Sequence, residues 1–223
     1  MSRLGRLIGR KSFDGDPIWH VQLTVVLAIV LQLRLPDTFL AGPRYVLPVL
    51  EALLVLSLYV TSKGVDRHNP LIRKWNSVII IVLMAAANIY ALQKLAHQLL
   101  AGGVIANGHS LILTAINIFL TNIIVFALLF WEVDAGGPVK RLRRDIRERD
   151  FSFPQMQNPE LAPRGWRPNF VDYLYVSATN AMAFSPTDTM PLTRVAKLFM
   201  LAQSMISLTT LALIASRAVN ILK

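Results

Sequence analysis

Apolar runs that reach or approach the roughly 20 residues a helix needs to cross a bilayer dominate this chain, and they constrain its fold more than any other feature. The first runs from about Ile18 to Leu35, "IWHVQLTVVLAIVLQLRL", and is closed by Pro36 and Asp37. The second spans about Tyr45 to Thr61, the third about Trp75 to Leu100, and the fourth about Ser110 to Trp131. A polar segment of about 37 residues follows, then a marginally apolar stretch at 170–185, then a last long run from about Val195 to Leu222. With 54% hydrophobic and 16% charged residues among 223, against the roughly 25% charged residues usual in soluble domains, this reads as a polytopic membrane protein. The fold expected is an all-α transmembrane bundle of about six hydrophobic helices, the fifth short and polar.

The chain divides accordingly into a four-helix transmembrane region over residues 1–132, a basic linker over 133–168, and a short helix plus final helix over 169–223. Basic residues set the expected orientation. Arg3, Arg6, Arg10 and Lys11 precede the first run, and Lys63, Arg67, Arg73 and Lys74 lie between the second and third. Lys140, Arg141, Arg143, Arg144, Arg147, Arg149, Arg164 and Arg167 fill the linker, bringing this side to 16 of the 23 Lys and Arg. The excess of positive charge marks it as cytoplasmic. If 170–185 crosses outward and the last helix returns, both termini are cytoplasmic. The basic opening stretch lacks a short apolar core with a cleavage site, and reads as a retained lead-in.

Several function classes are disfavoured from composition. There is no cysteine, hence no disulfide, thiolate metal site or thiol nucleophile. The four histidines, His20, His68, His97 and His109, lack metal-site spacing, and no phosphate loop or hydrolase motif is present. No cofactor or metal is expected, and an enzyme is the weakest reading. The net charge of +10 sits between the spans, which argues against nucleic acid.

Polar groups within the apolar runs are the candidates for function. Glu51 lies about 12 Å deep in the second run and Lys94 about 9 Å deep in the third, at 1.5 Å per residue. A bare intramembrane carboxylate calls for a partner, so the two are expected to approach each other, with His97 one turn further out. Such a pair would fix helix register or serve as a proton or cation relay. Asn88, Asn117, Thr121 and Asn122 suit hydrogen bonds between helices, and the small and hydroxyl residues of "AQSMISLTTLALIASRA" suit close helix packing. Gly136 and Gly137 allow a sharp turn and Pro138 can open a helix. In that helix Lys140, Arg141, Arg143, Arg144 and Arg147 are placed to contact anionic lipid headgroups, while the solvated juxtamembrane loop is an equal alternative. Glu132 and Asp134 read as cap or turn residues.

"YVSATNAMAFSPTDTMPLTRVAK", Tyr175 to Lys197, combines a short polar helix, a break at Pro186 and the start of a long helix. This stretch resembles the pore helix, filter and inner helix of two-span bacterial potassium channels, with Tyr175, Ser177, Asp188, Pro191, Ala196 and "ASRAV" in step. The filter is not retained, since Ala183, Phe184, Ser185, Pro186 and Thr187 stand where T-V-G-Y-G would be. The stretch is also similar to a family of bacterial inner-membrane proteins, a domain of unknown function, carrying "DYLYFSFT…M.F…SD". Tyr173, Leu174, Tyr175, Ser177, Thr179, Met182, Phe184 and Asp188 match it. What the channel resemblance implies is a homo-oligomer with a polar path at Thr179, Asn180, Ser185 and Asp188, open to a monovalent cation. In that family the loop faces outside, whereas the charges here favour a fifth span. The leading expectation is a channel-like or transport-related protein without a potassium filter. The rival is a non-transporting module that binds lipid or a protein partner through its basic linker. A hydrated convergence of Thr179, Asn180 and Asp188 would favour the first, and their burial between helices the second.

Overall fold

A computed structural model describes residues 18–63, 70–100, 108–141, 148–185 and 188–221. The protein is all-α. Its helices are α1 (Ile18–Leu33), α2 (Val46–Lys63), α3 (Pro70–Leu100), α4 (Gly108–Val133), α5 (Pro138–Arg141), α6 (Pro154–Gln157), α7 (Phe170–Ala183) and α8 (Arg194–Ile221). Two short strands, β1 (Phe151–Ser152) and β2 (Met190–Pro191), pair antiparallel. Among the described residues, three helical stretches are long and apolar enough to cross a membrane: Lys74–Leu99, Ser110–Gly136 and Arg194–Ser216. The apolar part of α1, Trp19–Leu33, is shorter.

Helix α4 is the axis of the bundle. In its most apolar stretch 72% of residues are buried, against 33% in α3 and 22% in α8, and it packs on α1, α3, α7 and α8. Two apolar clusters mark the two ends. One gathers Val21, Ile124, Phe130, Phe151, Tyr173 and Met200, near the linker. The other gathers Leu35, Phe39, Ala91, Leu95, Leu111 and Ile118 at the far end, where α1 turns into α2, and Ile214 of α8 packs against it. Leu23, Val26, Val49, Leu53, Leu198 and Leu201 point outward and are exposed. Those faces have the composition that hydrocarbon accepts.

The direction of α7 is the main departure from expectation. Tyr173, near its start, reaches Asp134 just beyond the end of α4, while Ser177 bonds to the Ile123 carbonyl further back along α4. Helix α7 therefore runs antiparallel to α4. So does α8: Thr193, just before its first turn, bonds to Asp150 beside Asp134, and Ser207 meets Asn122 midway. Two helices antiparallel to the same neighbour are parallel to each other, so α7 and α8 both start at the linker end. Phe184 to Met190 must then bring the chain back.

The fifth helix is short, as expected, and its chain leaves the bundle at the end where it enters. Helix α7 is too short for a hydrocarbon core of about 30 Å, and it enters and leaves by the same end. The start of α1 and the end of α8 lie at opposite ends of the bundle. Helix α1 starts in the linker-end cluster through Val21, whereas α8 ends in the far-end cluster through Ile214.

Candidate functional site

The re-entrant segment is fixed by a clasp whose centre is Asp134. The chain reaches it through a tight turn: Ala135, Gly136 and Gly137 all take positive φ, at 55°, 78° and 102°. A Cβ on Gly137 would stand 3.2 Å from the carbonyl and carboxylate oxygens of Glu132, so both backbone angle and space favour glycine there. Asp134 is fully buried. Its Oδ1 accepts from the backbone N–H of Asp150 (2.7 Å) and of Phe151 (3.3 Å). Its Oδ2 accepts from the Tyr173 hydroxyl (2.6 Å) and from Arg149 Nη1 (3.2 Å), with Arg141 Nη1 at 3.9 Å. A buried carboxylate this well served by donors and two guanidinium groups meets the condition for burying charge.

Asp150 extends the clasp to the other side of the re-entrant loop. It accepts from the Ala135 N–H (2.9 Å) through Oδ2 and from the Thr193 hydroxyl (2.6 Å) through Oδ1, while its carbonyl accepts from Leu192 N–H (2.8 Å). The β1–β2 pair lies next to it, Phe151 opposite Pro191 and Ser152 opposite Met190. Aromatic contacts from Phe151 and Phe153 to Tyr173 complete the support. At its start α7 has a capping box, in which Asn169 accepts from the Val171 N–H and Asp172 from the Asn169 N–H.

Deeper in the bundle, α4, α7 and α8 are joined by a buried polar network. Gln203 donates to the Ser177 carbonyl (2.9 Å) and hydroxyl (2.6 Å) and accepts from the Asn180 amide (2.8 Å). Asn180 also donates to the Met200 carbonyl, and Asn122 donates to Ser207 (3.0 Å). These are interhelical ties of the kind expected of Asn122, and Asn117 adds another by donating to the Leu31 carbonyl (2.7 Å).

The four residues proposed for a polar path do not converge. Asn180 is buried in the network just described. Thr179 bonds back to the Tyr175 and Val176 carbonyls of its own helix. Ser185 and Asp188 lie exposed on the returning segment, where Ser185 donates to the Ala183 carbonyl and Thr189 to Asp188. The helix ends just before them at Phe184, in the left-handed conformation with φ 55°.

The headgroup assignment also changes. Arg141 is only 4% exposed and turns inward, donating to the Trp131 carbonyl (2.8 Å) and lying 4.7 Å from the centre of the Tyr173 ring. Burying one guanidinium face on an aromatic ring and pairing the rest with Asp134 outweighs exposure to headgroups here. Lys140 is exposed, while Arg143, Arg144 and Arg147 fall outside the described residues.

Glu51 and Lys94 do not pair. Glu51 is fully buried and its Oε1 accepts from Gln32 Nε2 of α1 (3.0 Å), whereas Lys94 is exposed with its ammonium 5.5 Å from the centre of the Tyr90 ring. His97 is exposed as well, and the His109 side chain lies outside the described residues. Gln32 also lines a cavity of about 30 Å³, shared with Leu35, Phe39, Arg44, Pro48, Asn88 and Thr121 and reaching the exposed loop at Ala41, Gly42 and Pro43. Arg44 clamps that loop, bonding Asp37 (2.8 Å) and the carbonyls of Leu33 and Leu35. The hydrogen bond to Asp37, with its charge, holds the Arg44 guanidinium above its ordinary pKa. Among the described residues no group of three or more His, Asp or Glu is placed to hold a metal ion. No family model, curated protein or solved structure matches this chain.

Sequence reasoning missed Asp134 as a hub, along with Arg149, Asp150, Thr193, Gln203 and Gln32. One signal for the clasp was available: several charges and a hydroxyl cluster at the linker boundaries, just where two helix ends meet. Gln203 and Gln32 carried the same signal as Asn117, an amide inside an apolar run.

Proposed function

We propose that copies of this chain assemble around residues 183–188 as a channel-like membrane protein without a potassium filter. One observation carries this reading: a short helix enters the bundle, the described residues just beyond it, 184–185 and 188–189, are irregular, and a long helix starts from the same end. Irregular backbone at membrane depth is tolerated where it is covered by protein or lines water. Ala183, Phe184, Ser185 and Asp188 are exposed on the single chain, so further copies and an aqueous axis are the natural cover. The layout is the one implied by the resemblance to two-span potassium channels. With the linker end placed in the cytoplasm by its basic residues, the loop faces inward. The solute is a monovalent cation, drawn by Asp188 at the mouth.

The burial of Asn180 favours a second reading, a non-transporting module in which the re-entrant segment is structural. Tracer cation flux into liposomes separates the two. Flux above empty liposomes that falls with Asp188→Ala and is blocked by Ser185→Trp supports the pore. Background flux from folded protein sinks the pore and leaves the module.

A further inference from the structure

The outward side of α8 carries a charged and apolar surface that neither the clasp nor the buried network uses. Arg194 and Lys197, one turn apart, are both exposed, and among the described residues no ion pair holds either of them. The acids of the neighbouring segments are engaged elsewhere: Asp188 accepts from Thr189, and Asp150 from Ala135 and Thr193. Two cations without counter-charges thus head a helix apolar enough to cross a membrane.

Their neighbours on the same face are all apolar. At 3.6 residues per turn, Arg194, Lys197, Leu198, Leu201, Met205 and Leu208 fall within an arc of about 100°, and all six are exposed. The opposite arc holds the residues that α8 buries, Ala196, Gln203, Ser207 and Thr210. Charge stands only at the linker end of the outward stripe; from Leu198 to Leu208 the stripe is hydrocarbon over about 15 Å. Met190 and Leu192, just before the helix, are exposed as well. The two cations therefore sit between apolar groups and not within a solvated polar surface. A spanning helix meets lipid on such a face, and an anionic headgroup brings the counter-charge that Arg194 and Lys197 lack.

We infer that the outward face of α8 binds an anionic phospholipid, with the phosphate at Arg194 and Lys197 and an acyl chain along Leu198, Leu201, Met205 and Leu208. The site requires insertion in a membrane and no pore, so background cation flux leaves it standing.

Native mass spectrometry of the purified full chain in detergent tests this, with phosphatidylglycerol and phosphatidylcholine of equal acyl chains as probes. Phosphatidylglycerol should bind roughly tenfold more tightly, and replacing both cations, Arg194→Gln with Lys197→Gln, should remove that preference. Both positions are exposed, so the double variant should unfold at the wild-type temperature. Lys140→Gln, which removes another exposed cation of the linker end, should keep the preference. Equal binding of the two lipids, or a preference that survives the double variant or disappears in Lys140→Gln, would overturn the assignment. Glycerol phosphate, the headgroup chemistry without chains, should not displace the lipid at matched concentration. Displacement would mean that the apolar stripe contributes nothing, and would overturn it equally.

Discussion

Asp134 concentrates more of the fold than any other residue at this scale, because it joins two backbone N–H groups, a tyrosine hydroxyl and two arginines. Asp134→Ala leaves Arg141 and Arg149 buried without their counter-charge, and the expected loss is about 3–5 kcal/mol in denaturant unfolding. Gly137→Ala should cost about 1–3 kcal/mol by the same measurement, from the positive φ and the Glu132 contact together. Asp134 read as a turn residue from sequence because its partners lie up to 39 positions away. Glu51 shows a different limit. Depth along a helix follows from counting, but direction around it does not, and two residues at similar depth can face opposite ways. Lys94 could have been placed outward: Met84, Ala91 and Leu95 recur on the buried face, and Lys94 sits about 100° from Leu95.

Among the elements, α7 depends on Gln203, whose amide serves both Ser177 and Asn180. Gln203→Leu keeps the volume roughly constant but leaves those groups with unmet hydrogen bonds, an expected cost of about 1–3 kcal/mol. Its diagnostic sign is earlier proteolytic cleavage near 184–189 than in the wild type, because α7 loosens before α4 does. Helix positions were legible from hydropathy: the expected runs at 18–35, 45–61, 75–100 and 110–131 overlie α1 to α4. Hydropathy carries no information about direction, so it could not tell an entering and returning α7 from a crossing one. The decisive contacts, Thr193 to Asp150 and Ser207 to Asn122, are tertiary. The two-residue strands were invisible for the same reason, since neither stretch has a strand pattern of its own.

On the scale of the whole molecule, the re-entrant arrangement sets which loops share a side. The absence of cysteine lets single introduced cysteines report accessibility without background. A membrane-impermeant maleimide added to one side should label Lys140→Cys and Leu192→Cys together, and from the other side Ala41→Cys and Ser216→Cys. A six-crossing bundle would instead group Ser216→Cys with Lys140→Cys. On the proposed pore arrangement, Ser185→Cys should form disulfides between copies under mild oxidation, and a purely monomeric product would count against the shared axis. Arg141 shows that charge counting does not reach individual contacts. Its position in the linker was evident, but its inward turn depends on Trp131, Asp134 and Tyr173 folding around it.

The Asp134–Asp150–Thr193 connection also has a consequence for biosynthesis. Fifty-nine positions separate Asp134 from Thr193. At 5–20 residues per second, a ribosome takes about 3–12 s to supply the second after the first. Through that interval α4, the main packing partner of α7, is already made, while α8, which brings Gln203, has yet to be translated. Docking of α7 on α4 is thus open early, whereas the Thr193 bond and the Gln203 ties close only when the last segment of the chain arrives.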